Sequence, residues 1–331
     1  MNYVTIARQN APSPAACTLS RSSEWNDRSG DGRWKWMIIM GQDNLQKQRY
    51  EFKYVIPEQK ALAIRDFLRC YLDVDDNCLD QPDLSYPVHS LYLDSPGMAL
   101  YHSTINGDKN RFKLRIRFYN ECEDTPVFLE IKRRMNNIIS KKRVGIPRLT
   151  AQSVISGQIP SAEELVSANR KVSNQDSIDY ITPLQEEALY EFSEHINQLQ
   201  AQPVSHVAYR REAWILPDNN AVRVTLDRQV RCEPDPDAKL NTAMNNPTFV
   251  FGDWVILELK FTDRFPNWFR ELVEVFDLTR CGAAKYVDGV TLMGKDQVTD
   301  LVASQMDLNQ GNILEQQDHL KRRERAIAAA F

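Results

Sequence analysis

Residues 112–118 read Phe-Lys-Leu-Arg-Ile-Arg-Phe. Successive side chains of a β-strand face opposite ways, so Lys113, Arg115 and Arg117 fall on one face and four apolar side chains on the other. The same parity groups Glu51 with Lys53, Glu130 with Lys132, Lys141 with Arg143, Tyr209 with Arg211, Arg223 with Thr225 and Asp227, and Glu258 with Lys260. One such strand reads as part of a sheet with one solvated face. The repetition argues further, because faces dominated by Arg and Lys repel one another across strands unless an anion lies between them. Closing the sheet into a barrel turns these faces inward and leaves the apolar faces outside for helices to cover. The expected fold is therefore α+β and mainly β: a closed antiparallel barrel with a cationic interior.

The chain as a whole is not basic. Its net charge is −4 and its pI about 5.8, a balance that speaks against a general nucleic-acid or membrane-surface binder. The cationic site is local. Six cysteines are widely spread with no C-x-x-C pair, which suggests neither a zinc site nor a disulfide framework and fits a reducing cytoplasm. The apolar run Trp36 to Met40 is too short to span a bilayer.

Residues 1–45 are rich in Ser, Asn, Asp and Arg without periodicity and are expected to be a disordered extension. Residues 46–295 read as one domain, and 296–331 as a polar tail able to form a loose helix. Within the domain, strands are expected at 49–56, 88–94, 111–119, 127–133, 138–146, 204–216, 222–230 and 249–261. Helices are expected at 58–72, 150–157, 183–199 and 266–278. The first should bury Leu62, Phe67, Leu68 and Tyr71; the third, Leu184, Ala188, Leu189, Phe192, Ile196 and Leu199; the last, Trp268, Phe269, Leu272 and Phe276.

Arginine offers phosphate oxygens planar bidentate donors and lysine a compact charge, so a mixed lining suits a chain of phosphoryl groups better than a lone carboxylate ligand. Phosphoryl transfer needs a divalent cation, and Mg²⁺ or Mn²⁺ takes only one or two protein carboxylates. Glu258 is the first candidate ligand, with Glu130 and Glu51 next; each also reads as an ordinary cross-strand salt bridge. His89, His102, His195, His206 and His319 show no metal spacing and read as surface or helix histidines. Trp214, Trp254 and Trp268 read as core or barrel-exterior packing.

At these residues the chain resembles the VTC polyphosphate polymerase domain, a branch of the triphosphate tunnel metalloenzyme (CYTH-like) group, over residues 46–295. The resemblance lies in an ordered series: R-Y-E-F-K-Y (Arg49 to Tyr54), S-L-Y-L-D-S (Ser90 to Ser95), Arg115, Arg117 and Tyr119 as R-x-R-x-Y, and F-L-E-I-K (Phe128 to Lys132). It continues through S-K-K-R-V (Ser140 to Val144), Y-x-R-x-A at Tyr209, V-R-V-T-L-D (Val222 to Asp227), L-E-L-K (Leu257 to Lys260), F-P-N-W (Phe265 to Trp268) and A-K-Y (Ala284 to Tyr286). It implies an eight-stranded antiparallel tunnel lined by Lys53, Arg115, Arg117, Lys132, Lys141, Arg211, Arg223 and Lys285, with Glu258 as metal ligand and Tyr209 touching phosphate. Lys113, Arg143 and Lys260 join the phosphate-binding set by strand parity. Two positions depart from the wider group: Arg49 stands where its E-x-E-x-K opening has the first glutamate, and Ala284 where a serine commonly precedes the last lysine.

The activity implied is metal-dependent transfer of the γ-phosphoryl group of ATP to a growing polyphosphate chain. The partners are then ATP and polyphosphate, with Mn²⁺ or Mg²⁺ as cofactor and neither nucleic acid nor membrane. The same lining would serve a triphosphatase, in which water attacks, or a sensor that binds without turnover.

Overall fold

A computed structural model describes residues 49–161, 163–165, 182–217, 219–262 and 264–304. The extension at 1–45 and the tail beyond 304 lie outside the described residues. The strands are β1 (Arg49–Ile56), β2 (Asp73–Val74), β3 (Tyr86–Asp94), β4 (Asn110–Phe118), β5 (Val127–Met135), β6 (Ile138–Ile146), β7 (Gln202–Leu216), β8 (Asn219–Pro234), β9 (Thr248–Phe249) and β10 (Val255–Thr262). The helices are α1 (Glu58–Leu68), α2 (Asp76–Leu79), α3 (Ala99–Ile105), α4 (Arg148–Ile155), α5 (Pro183–Leu199), α6 (Asn267–Val275) and α7 (Lys285–Met293), followed by a helical stretch at 295–304.

Eight strands run antiparallel in the order β7-β3-β4-β5-β6-β1-β10-β8, and β8 pairs back onto β7, which closes the barrel. The two-residue strands β2 and β9 attach to the sides of β7 and β8. Closure removes the free edges that an open sheet of this size would expose. The β1–β6 seam rests on one bridge, Arg49 to Ile139, among the described residues. Residues 249–261, expected as one strand, divide into β9 and β10, because the turn around Gly252 takes a positive φ of 53°.

Three apolar layers cover the outside. Helices α4 and α5 pack Val154, Phe192 and Ile196 on Leu114, Ile116, Leu129 and Val144 of β4 to β6. α5 is launched by a capping box in which Thr182 accepts from the Gln185 amide, with Pro183 at the first helical position. Helices α1 and α6 press Ile64, Leu68, Phe269 and Leu272 on β1, β8 and β10. Each fully buried side chain of this size contributes about 1.5–3 kcal/mol. The third cover, α7, was not anticipated from the sequence. It buries Tyr286, Val287 and Val290 with Val298 and Val302 of the following stretch.

Some expected core positions are not core. Leu62 and Leu184 lie on the open flanks of α1 and α5, exposed, and α1 buries Ala61, Ile64 and Leu68 instead. Trp254 is exposed, whereas Trp214 is buried and donates to Glu212. Two of the histidines read as surface residues are buried: His89 on β3 and His206 on β7 sit 3.0 Å apart, with His89 stacked on Phe118. Among the described residues no helix is long and apolar enough to cross a membrane.

Candidate functional site

Strand register aligns the charged faces. Lys113, Lys132 and Lys141 form one row across β4, β5 and β6, and Arg115, Glu130 and Arg143 form the next. On the opposite wall, Glu51, Lys260 and Arg223 lie side by side on β1, β10 and β8, with Lys53, Glu258 and Thr225 in the row beside them. The rows enclose a cavity of about 1030 Å³. All fifteen residues singled out from the sequence line it: Glu51, Lys53, Lys113, Arg115, Arg117, Glu130, Lys132, Lys141, Arg143, Tyr209, Arg211, Arg223, Glu258, Lys260 and Lys285. In total sixteen basic and six acidic side chains face it, a formal excess of at most ten positive charges.

Two acidic nodes organise the cations. Glu130, 1% exposed, receives Arg115 through Nε at 2.7 Å and Nη2 at 2.6 Å. Arg143 lies 3.4 Å away, and Arg117 and Lys141 each 3.8 Å. Burial would raise this carboxyl, but Arg115, Arg117, Lys141 and Arg143 together hold it well below the usual range. Aromatic residues set the guanidiniums: Arg115 donates to the Tyr92 hydroxyl and Arg117 to Tyr209, while Arg143 lies 3.6 Å from the centre of the Phe128 ring.

The second node is Glu258, with Lys260 at 2.7 Å, Lys285 at 3.2 Å, Lys53 at 3.3 Å and Arg211 at 3.8 Å. Burial opposes its ionisation and these four cations override it, holding Glu258 well below the carboxylate range. Lys53 also donates to the Ala283 carbonyl, which ties β1 to the segment leading into α7. Glu51 pairs with Lys132 at 2.7 Å. Burial raises it, but Lys132 and then Lys260 bring it down to about 2 against repulsion from Glu258. Lys113 contrasts with these pairs: burial first, then Lys53, Lys132 and Arg111, push its ammonium down to about 7.

Several lining residues escaped the sequence reading. Arg111 and Arg134 extend the rows already recognised and share their parity, and Tyr92 sits in phase on β3, so pattern alone could have found them. Asp75, Arg210 and Arg280 carry no such signal; Asp75 and Arg280 lie outside the barrel strands, where no period marks a face. Asp75 accepts Arg223 at 2.9 Å.

Glu51 and Glu258 line the lumen, are held low by the cations around them and interact with one another. Among the described residues no three His, Cys, Asp or Glu side chains converge as a cage. The two carboxylates fit a Mg²⁺ or Mn²⁺ that completes its shell with phosphate oxygens and water. Glu130 and Glu258 are alike in being ringed by four cations each, so a metal at Glu258 would compete with Lys260, Lys285, Lys53 and Arg211.

A family model described as VTC domain matches residues 48–294. No curated protein matches the chain. Among solved structures, a putative adenylate cyclase from Bacillus halodurans is similar at 11% identity over 71% of this chain and 93% of its own, with a TM-score of 0.38. The PH1819 protein of Pyrococcus horikoshii is 12% identical over 74% and 99%, with a TM-score of 0.36. The Mimivirus capping enzyme triphosphatase is 12% identical over 74% and 94%, with a TM-score of 0.30.

Proposed function

The chain belongs to the VTC-domain family, and from that membership and the charge of its tunnel we propose that it transfers the γ-phosphoryl group of ATP to the end of a growing polyphosphate chain. The charge excess is the observation that carries the reading. The four negative charges of a nucleoside triphosphate would leave most of a ten-charge surplus uncompensated, whereas a linear chain with about one charge per phosphoryl unit could balance it along its length.

The chemistry asked of the protein is positioning and charge stabilisation, with no protein nucleophile. Arg115, Arg117, Lys141 and Arg143 on one wall, and Lys53, Arg211, Lys260 and Lys285 on the other, hold equatorial oxygens and keep the attacking and leaving oxygens in line. Lys113, Lys132 and Arg223 extend the cationic track, and the Tyr209 hydroxyl contacts a phosphate oxygen. Glu258 and Glu51 would hold a Mn²⁺ or Mg²⁺, which would neutralise part of the phosphate charge when bound.

The test is to incubate the protein with γ-labelled ATP and Mn²⁺ and resolve the products by gel, beside Glu258→Ala and Arg115→Ala. Long labelled chains that disappear in both variants are expected. Free phosphate alone would replace the polymerase reading with a triphosphatase, and binding without turnover would replace it with a sensor.

A further inference from the structure

Asp227 on β8 is fully buried and does not line the cavity, yet it holds two side chains that do. Arg211 of β7 binds it in a fork, Nε to Oδ1 at 2.7 Å and Nη2 to Oδ2 at 2.8 Å. Lys285, the first residue of α7, places its ammonium 2.7 Å from the same Oδ2 and 3.2 Å from Glu258. The Tyr209 ring forms the remaining wall, with the Arg211 guanidinium 5.1 Å and the Lys285 ammonium 4.9 Å from its centre. Two like charges are thus held in one socket, an arrangement that repels itself unless a carboxylate compensates it. Glu258 cannot do this alone, since it is also engaged with Lys53 and Lys260.

We propose that Asp227 is a positioning residue: it never meets the phosphate chain, but it fixes Arg211 and Lys285 at the spacing with which they receive a phosphoryl group. Through Lys285 it also pins the start of α7 to the barrel wall, so the outer helix and the tunnel lining share one anchor. This rests on the functional reading above.

The experiment measures calorimetric binding of inorganic tripolyphosphate, without added metal, to the wild type and to Asp227→Asn, Asp227→Glu, Lys285→Met and the Asp227→Asn/Lys285→Met double variant. Asp227→Asn keeps the shape and removes the charge, and should weaken binding by about 10- to 100-fold, the loss seen when the carboxylate that orients a metal ligand is removed. Asp227→Glu restores the charge and should recover part of the loss; a packing role would rank the two the other way, because the longer side chain overfills a closed site. The double variant should bind no more weakly than Lys285→Met, since residues acting as one unit are not additive. It removes an anion and a cation together, so it supplies the comparison even if Asp227→Asn alone does not fold. Asp227→Asn binding within twofold of wild type, or losses that multiply in the double variant, overturns this inference and leaves the functional reading standing. A wild type that binds no tripolyphosphate overturns both.

Discussion

Salt should separate a polymer-binding tunnel from a triphosphate pocket. Sixteen basic against six acidic side chains leave at most ten positive charges facing the cavity, fewer by what Asp227 offsets from behind and by the depressed ammoniums of Lys113 and Lys260. A long polyphosphate that neutralised this excess would release its condensed counterions, and with about 0.7 counterions per neutralised charge the plot of log affinity against log salt falls with a slope as steep as about −7. A fourfold rise in monovalent salt then costs about 10⁴-fold in affinity. ATP brings only about four charges, which bounds its slope near −3, so the same rise costs it less than about 100-fold. The assay is equilibrium titration of metal-free protein with long-chain polyphosphate and with ATP across a salt series. If the two slopes coincide, the excess charge is compensated within the protein and the argument from charge to polymer fails.

Three other outcomes follow from the packing. Glu130→Gln removes the carboxylate that Arg115, Arg117, Lys141 and Arg143 share; unfolding should become easier by about 3–5 kcal/mol, and tripolyphosphate should restore much of the melting temperature by standing in for the lost anion, while a melt unmoved by the ligand would count against an anion-binding cage. The His89–His206 pair is buried neutral, with burial as the main cause bringing His89 down to about 4 and His206 to about 3; because the folded values lie below the unfolded one near 6.5, stability is complete above pH 6.5 and falls by about 2 kcal/mol per imidazole by pH 5, which denaturant titrations should detect and His206→Phe should lessen. At Gly289 a Cβ would meet the Cys232 sulfur at 2.6 Å and the Cys232 Cβ at 2.8 Å, so Gly289→Ala should cost about 1–3 kcal/mol of stability and much less in a Cys232→Gly background, which removes both atoms; equal costs in both would refute this packing.

Much of the barrel was legible because a strand writes its two faces into alternate residues. Lys113, Arg115 and Arg117 are on one face wherever the strand lies, and β6 matches its expected limits at Ile138–Ile146. The longer helices were legible from stripe and cap, as at Thr182 and Pro183. α3 and α7 were not: α1, α4 and α6 start after Pro57, Pro147 and Pro266, whereas α3 and α7 start after Met98 and Ala284, which carry no start signal. α3 follows Met98 in the left-handed region at φ 57°, a turn secured from outside the helix by Asp94, which accepts the amides of Ser95, Leu100 and Tyr101 and the hydroxyl of Tyr286.

Which side chains share a face is written in the chain itself, because strand parity is a local property of the backbone; that the cationic face looks inward depends on β8 closing onto β7. The sequence could not say which cation meets which anion. Glu130 and Glu258 have the same strand pattern, yet one is ringed by Arg115, Arg117, Lys141 and Arg143 and the other by Lys53, Arg211, Lys260 and Lys285, since barrel order and register set those distances. Only the tertiary structure brought Lys285 across 58 residues of chain to Asp227, and His89 to His206 across 117. Electrostatic and packing energies depend on separation in space, which a local pattern does not contain.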